Sequence, residues 1–92
     1  MERSKDVKKI VEQVEGEGLV KFLGEPITLF CANYIYAGKL KGINETCVLL
    51  TDASIVYETG AFTEKGWKDA QPLPGGEWYI QLSAIESFGY VK

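Results

Sequence analysis

GKLKGINETCVLLTD, residues 38–52, is the stretch that decides the fold. Two glycines stand inside what is otherwise a strand-like segment, and a polar pair then leads into a continuous apolar run. Glycines within a strand mark a sharp bend or a close backbone approach, which lets a short sheet curl into a barrel. Asn44-Glu45 is typical of a turn. The stretch therefore predicts two strands, Ile35 to Ile43 and Thr46 to Thr51, with the first bent at Gly38 and Gly42.

Residues on the amino-terminal side of this stretch also predict a strand. Ile27, Leu29 and Cys31 alternate with other residues at a period of two, which is the pattern of a strand buried on at least one face. Asn33-Tyr34 then predicts a tight turn, because Asn tolerates positive φ.

Residues on the carboxyl-terminal side predict further strands separated by a long interruption. The third strand is expected to resume through Ile55, Val56 and Tyr57. Residues 59–76 are rich in Gly and Pro and predict a long loop or a loose hairpin around Trp67. Trp78 to Leu82 and Ile85 to Val91 predict the fourth and fifth strands, joined by a tight link at Ser83-Ala84.

The first residues follow a different period. Ser4 is typical of a helix N-cap, and Val7, Ile10, Val11 and Val14 form one apolar stripe at helical spacing. We therefore expect a helix over residues 4–15, packed against the sheet. The chain is predicted to be one mainly β domain, residues 1–92: a five-stranded, strongly bent open barrel with an N-terminal α-helix. Its parts are the helix (4–15), strands 1–3 (26–58), the long loop (59–76) and strands 4–5 (77–92).

Composition restricts the chemistry. The 92 residues include no histidine, so the commonest general base is missing, and we expect neither an enzyme nor a small-molecule substrate. Cys31 and Cys47, sixteen residues apart, match no zinc pattern and are assigned to core packing, with no metal and no cofactor. No apolar run is long enough to span a membrane and no signal peptide precedes the domain, so a cytoplasmic protein is expected.

Three segments together resemble the Sm/LSm-like family. Residues 38–52 resemble the first Sm motif, residues 24–30 the first strand of the family, and residues 79–87 the second motif. The spacing of the first motif is most similar to that of the bacterial RNA chaperone Hfq. The resemblance implies an SH3-like barrel that assembles into a closed ring of identical subunits and binds single-stranded RNA at the pore.

The resemblance also implies where the pore residues lie. The family binds RNA through the turn after the second strand, here Asn44, Glu45 and Thr46, and the turn before the fifth, here Leu82-Ser83-Ala84. These positions supply neither a cation nor an aromatic ring, which phosphate neutralisation and base stacking require. We therefore expect any single-stranded RNA or DNA to bind through Lys39 and Lys41 or the lysines of the predicted helix. Candidate nucleic-acid-binding residues are Lys39, Lys41, Tyr36, Asn44, Glu45, Thr46 and Ser83.

The ring interpretation also rests on sheet edges. An open five-stranded barrel leaves two unpaired edges that must be covered. In the family, the fourth and fifth strands pair between neighbouring subunits. Candidate interface residues are Trp78, Ile80, Leu82, Ile85 and Phe88. Two functions stay open: a ring that binds single-stranded nucleic acid for RNA or DNA processing or chaperoning, and a scaffolding ring without it. The resemblance to the family favours the first, whereas the net charge of −3 and the altered turns favour the second.

Overall fold

The computed structural model describes residues 10–11 and 16–91, and these form one antiparallel sheet. A 3-10 turn, Gly18–Phe22, precedes the first strand, and a second one, Leu82–Ala84, joins the last two strands. The strands are β1 (Pro26–Cys31), β2 (Ile35–Ile43), β3 (Cys47–Glu58), β4 (Asp69–Pro72), β5 (Trp78–Gln81) and β6 (Ile85–Gly89).

The sheet has six strands, so the prediction of five is wrong by one. The additional strand, β4, lies inside residues 59–76, where the sequence left a loop and a loose hairpin as alternatives. It pairs antiparallel with the second half of β3, from Ser54↔Pro72 to Glu58↔Asp69. The third strand is also longer than expected, because it runs without interruption through Ala53 instead of pausing there.

The length of β3 organises the sheet. On one side β3 pairs with β2 along most of its length, and on the other it pairs first with β5 and then with β4. β1 lies between β2 and β6. The path therefore runs β4-β3-β2-β1-β6, with β5 beside the first half of β3.

Two register shifts bend the β2–β3 pair at the predicted glycines. Asp52 and Ala53 of β3 together face the single residue Gly38, and Asp52 adopts a left-handed φ of 53°. Further along, the register shifts again between Leu40 and Gly42. A bulge adds local twist and bends its strand, so the two glycine positions mark the curvature that the sequence predicted.

The core lies inside this bend. Its fully buried side chains come from β1, β2 and β3, with Ile80 of β5 and Phe22 closing the ends. Burying one aliphatic side chain of this kind stabilises the fold by about 1.5–3 kcal/mol. The core residues are Phe22, Ile27, Leu29, Leu40, Val48, Leu50, Ala53 and Ile80.

The segment after β3 contributes an aromatic contact of its own. The Phe62 ring lies 6.4 Å from the ring of Phe30 on β1 and 6.3 Å from that of Trp67, measured between centroids. Strand alternation places Phe30 on the face of β1 opposite the core residue Leu29. The loop is therefore tied back to the sheet through Phe62.

The predicted N-terminal helix lies largely outside the described residues. Of its apolar stripe only Ile10 and Val11 are described; they are 85% and 68% exposed, and neither is in a helix. Val11 nevertheless borders a pocket that Ile43, Leu82 and Phe88 also line, so of the expected stripe it is the described residue that approaches the sheet. Among the described residues, no helix has the length and hydrophobicity that a membrane span requires.

Candidate functional site

Two edge strands of the sheet, β5 and β6, are the first feature that bears on function. Within the described chain, β5 pairs only with β3 and β6 pairs only with β1, although the two strands are consecutive in sequence. The 3-10 turn Leu82–Ala84 directs them apart, so the barrel does not close on itself. Among the described residues, β5 and β6 thus each have one side without a strand partner, as β4 does at the far end of the path.

The predicted interface side chains divide between core and surface. Ile80 is 4% exposed and belongs to the subunit core, so its side chain is not available to a partner. Trp78, Leu82 and Ile85 are half-buried against that core. Phe88 is 38% exposed and packs edge-on against Phe22. Tyr79 of β5, which is not among the predicted interface residues, is an exposed aromatic side chain.

The two turns expected to line a pore do meet. The backbone N–H of Leu82 donates a 2.8 Å hydrogen bond to the carbonyl oxygen of Thr46. The first turn is held by Asn44, whose side-chain oxygen accepts from the backbone N–H groups of Thr46 and Cys47 at 2.8 and 2.9 Å. Glu45 and Ser83 are exposed. The two turns therefore lie next to each other, and the side chains that they display are uncharged or acidic.

The two candidate lysines of β2 differ from each other. Lys41 forms an exposed ion pair with Glu77, with Nζ 3.1 Å from a carboxylate oxygen, which lowers the positive field that it presents. Lys39 is exposed on the same strand. Tyr36, three residues before Lys39, packs against the core. Because strand alternation puts these two side chains on opposite faces, Tyr36 does not form a stacking platform together with Lys39.

A tyrosine-lined cavity lies between β5 and the β1–β2 hairpin, and we call it the tyrosine pocket. Its volume is about 220 Å³. Tyr34 and Tyr36 line one side with their rings 6.3 Å apart and inclined by 62°, and Tyr79 contributes from β5. No Lys or Arg of the described part of the chain lines it. The remaining lining residues are Cys31, Ala32, Asn33, Ile80, Gln81 and Ala84.

The fold raises the pKa of two side chains that line the tyrosine pocket, Cys31 and Tyr36. Burial, and after it the charge of Glu86, raises the pKa of the Cys31 thiol. Burial, with smaller effects from Cys31 and Tyr34, raises the pKa of the Tyr36 phenol. A carboxylate that disfavours a nearby thiolate also disfavours any other anion in the pocket.

Sequence reasoning found only half of this pocket. Asn33 and Tyr34 were predicted to form a turn and Tyr36 to bind nucleic acid, but Tyr79 and Gln81 were not among the candidate site residues. Their signal was present: in WYIQ, residues 78–81, alternation turns Tyr79 and Gln81 away from buried Ile80. That β5 lies opposite the first hairpin could not be read from this signal.

No group of three or more His, Cys, Asp and Glu side chains among the described residues is arranged to hold a metal ion. Comparisons with models of protein families, with curated proteins and with solved structures find no match.

Proposed function

We propose that this protein works as a homo-oligomeric ring of the Sm-like type, in which β5 of one subunit pairs with β6 of the next. The observation that carries the proposal is that β5 and β6, which follow each other in sequence, do not pair together and each have a single strand partner within the described chain. Unpaired backbone N–H and C=O groups along an edge favour addition of another strand.

The geometry also specifies the kind of assembly. The two edges belong to different strands, so pairing is head-to-tail, and head-to-tail pairing yields a ring when its rotation closes. Both strands are short, with four residues in β5 and five in β6. Tyr79 and Phe88, exposed on the two strands, supply apolar surface beside the backbone hydrogen bonds.

Sedimentation velocity at micromolar concentration tests the assembly. We expect one species whose mass is an integral multiple, three or more, of the 10.2 kDa chain. A folded monomer at these concentrations would refute the ring.

Site-directed cross-linking tests the strands themselves. With both native cysteines replaced by serine, Tyr79→Cys combined with Phe88→Cys should give disulfide-linked multimers on oxidation. The matched control, Tyr57→Cys combined with Phe88→Cys, uses a tyrosine of β3 with similar exposure and should give none. Multimers from the control pair alone would place the interface elsewhere.

Binding of single-stranded RNA or DNA is a second candidate function of such a ring. Two observations favour it: the turns 44–46 and 82–84 meet at the Leu82–Thr46 hydrogen bond, and Lys39 is exposed on β2. The acidic net charge and the Lys41–Glu77 ion pair weigh against high affinity. The surface charge therefore favours a scaffolding ring over a ring that binds nucleic acid.

A further inference from the structure

We propose that the tyrosine pocket binds a methylated ammonium group, of the kind carried by a methylated lysine side chain of a partner protein. The proposal goes beyond ring assembly, and it shares Tyr79 with the proposed contact between β5 and β6. It rests on the lining, the volume and the charges around the pocket.

The volume restricts the guest to a small group. A cavity of about 220 Å³ lies below the roughly 300–1,000 Å³ of sites that enclose a drug-sized ligand. It has room for one planar ring or for the end of one side chain. A whole nucleotide would leave its sugar and phosphate outside.

The aromatic lining favours a cation over an anion. Tyr34, Tyr36 and Tyr79 line the pocket, and the face of a tyrosine ring carries negative quadrupole charge and attracts a cation within about 6 Å of the ring centre. None of the described basic residues lines the pocket to neutralise a phosphate or a carboxylate. The net charge of −3 adds a weak attraction at longer range.

A carboxylate stands close to the pocket and acts in the same direction. Glu86 follows Ile85, the strand partner of Cys31, and its charge is felt at the Cys31 thiol that lines the cavity. A negative charge close to the pocket stabilises a positively charged ligand that is bound there.

None of the described lining residues carries a carboxylate, and this decides which cation fits. An unmodified ammonium group brings three N–H donors and a strong hydration shell, and their desolvation without full replacement costs free energy. A methylated ammonium group is larger and more weakly hydrated, and it gains most of its binding from aromatic faces. The amides of Asn33 and Gln81 remain available to the backbone of the segment that delivers it.

The experiment is an NMR titration of the ¹⁵N-labelled full chain with three amidated N-acetyl amino acids. These are trimethyllysine, unmodified lysine and the neutral tert-butyl isostere of trimethyllysine. We expect shifts at the amides of Asn33, Tyr34 and Gln81 with trimethyllysine, at least fivefold weaker binding of lysine, and at least fivefold weaker binding of the isostere. Equal binding of the isostere would show that the pocket does not recognise the positive charge, and this result would overturn the proposal.

Variants locate the site. Tyr34→Ala and Tyr79→Ala should each weaken trimethyllysine binding about fivefold or more, as expected for loss of one cation–π partner, and Tyr79→Phe should retain it. Glu86→Gln should weaken binding by a smaller factor. Tyr90→Ala, which removes a similarly exposed tyrosine that lines neither this pocket nor the cavity adjoining it at Tyr34, should change nothing.

Two further arms separate the alternatives. Adenosine and uridine titrated into the same sample should not shift these amides; a Tyr34- and Tyr79-dependent nucleoside response stronger than that of trimethyllysine would overturn the proposal in favour of base stacking. Repeating the titration on a Phe88→Glu variant, which should weaken ring assembly, should leave trimethyllysine binding intact. Binding without assembly, or assembly without binding, then shows which of the two proposals has failed.

Discussion

Gly38 lies directly beneath the backbone of Thr51. A Cβ atom at position 38 would stand 2.9 Å from the Thr51 carbonyl oxygen and 3.2 Å from the Cα atom of Ala53. Both neighbours are backbone atoms of the bulged part of β3, so neither moves without disturbing the pairing. The close contact explains why the bend that shapes the sheet requires glycine here.

Gly38→Ala should therefore destabilise the protein by about 1–3 kcal/mol, the usual cost of inserting a methyl group where the surroundings are already packed. Gly42→Ala is the matched control, because it lies in the same strand and its added Cβ would meet no atom within 4 Å. Urea denaturation of both variants provides the measurement. Equal loss of stability in the two would show that strand propensity, and not the Thr51 contact, governs these positions.

Asn44→Ala should loosen the turn that abuts Leu82. Its side-chain oxygen accepts hydrogen bonds from the N–H groups of Thr46 and Cys47 and from the Thr46 hydroxyl. Because these donors are exposed and can bond to water instead, we expect a loss of only about 1 kcal/mol. Asn44→Asp keeps an acceptor oxygen and should lose less. Thermal unfolding by circular dichroism compares the two; an Asp variant as unstable as the Ala variant would contradict this role for the acceptor.

Cys31 should react slowly with alkylating reagents. The fold raises the pKa of its thiol above the ordinary value of 9.0, by burial first and by Glu86 second. The neutral thiol is thus favoured, so this stabilisation is complete below the ordinary thiol pKa and is lost as pH rises through the folded value. In a Cys47→Ser background, the iodoacetamide rate against pH should show a midpoint above 9.0.

Glu86→Gln should move that midpoint downward, because it removes the smaller of the two causes, whereas Glu45→Gln on the distant turn should leave it unchanged. A midpoint at or below 9.0 in the parent background would mean that the thiol is not shielded from solvent.

Nucleic-acid affinity, if present, should depend more on Lys39 than on Lys41. Glu77 already holds Lys41 in an ion pair, so Lys41→Ala removes less net positive field than Lys39→Ala does. Fluorescence anisotropy with labelled oligouridine and oligoadenosine at low and physiological salt measures this. Each phosphate-contacting lysine that is lost should lower the salt slope by about 0.7.

Ser83→Ala serves as the control, since this exposed hydroxyl brings no charge. Tight, salt-tolerant oligouridine binding that survives loss of both lysines would contradict the expectation. It would place the binding site at the two turns, residues 44–46 and 82–84.

Local pattern was sufficient for most of the strands. The sequence predicted β2 at its observed bounds, Ile35–Ile43, because the flanking Asn turns and the internal glycines are local signals with local physical causes. It predicted the tight link before β6 for the same reason. It left β4 undecided, because Asp69–Pro72 carries no alternating apolar pattern and becomes a strand only by pairing with the second half of β3.

The sequence by itself determined the order of elements, the bend at Gly38 and the identity of the core strands, since each depends on residue type and on spacing along the chain. Only the tertiary structure decided which side chains are neighbours in space. It placed Tyr79 of β5 at the same cavity as Tyr34, set Glu77 against Lys41 and removed Ile80 from the surface. These contacts join residues far apart in sequence, and they follow from the pairing of β5 with β3, whose register depends on how all six strands share one core.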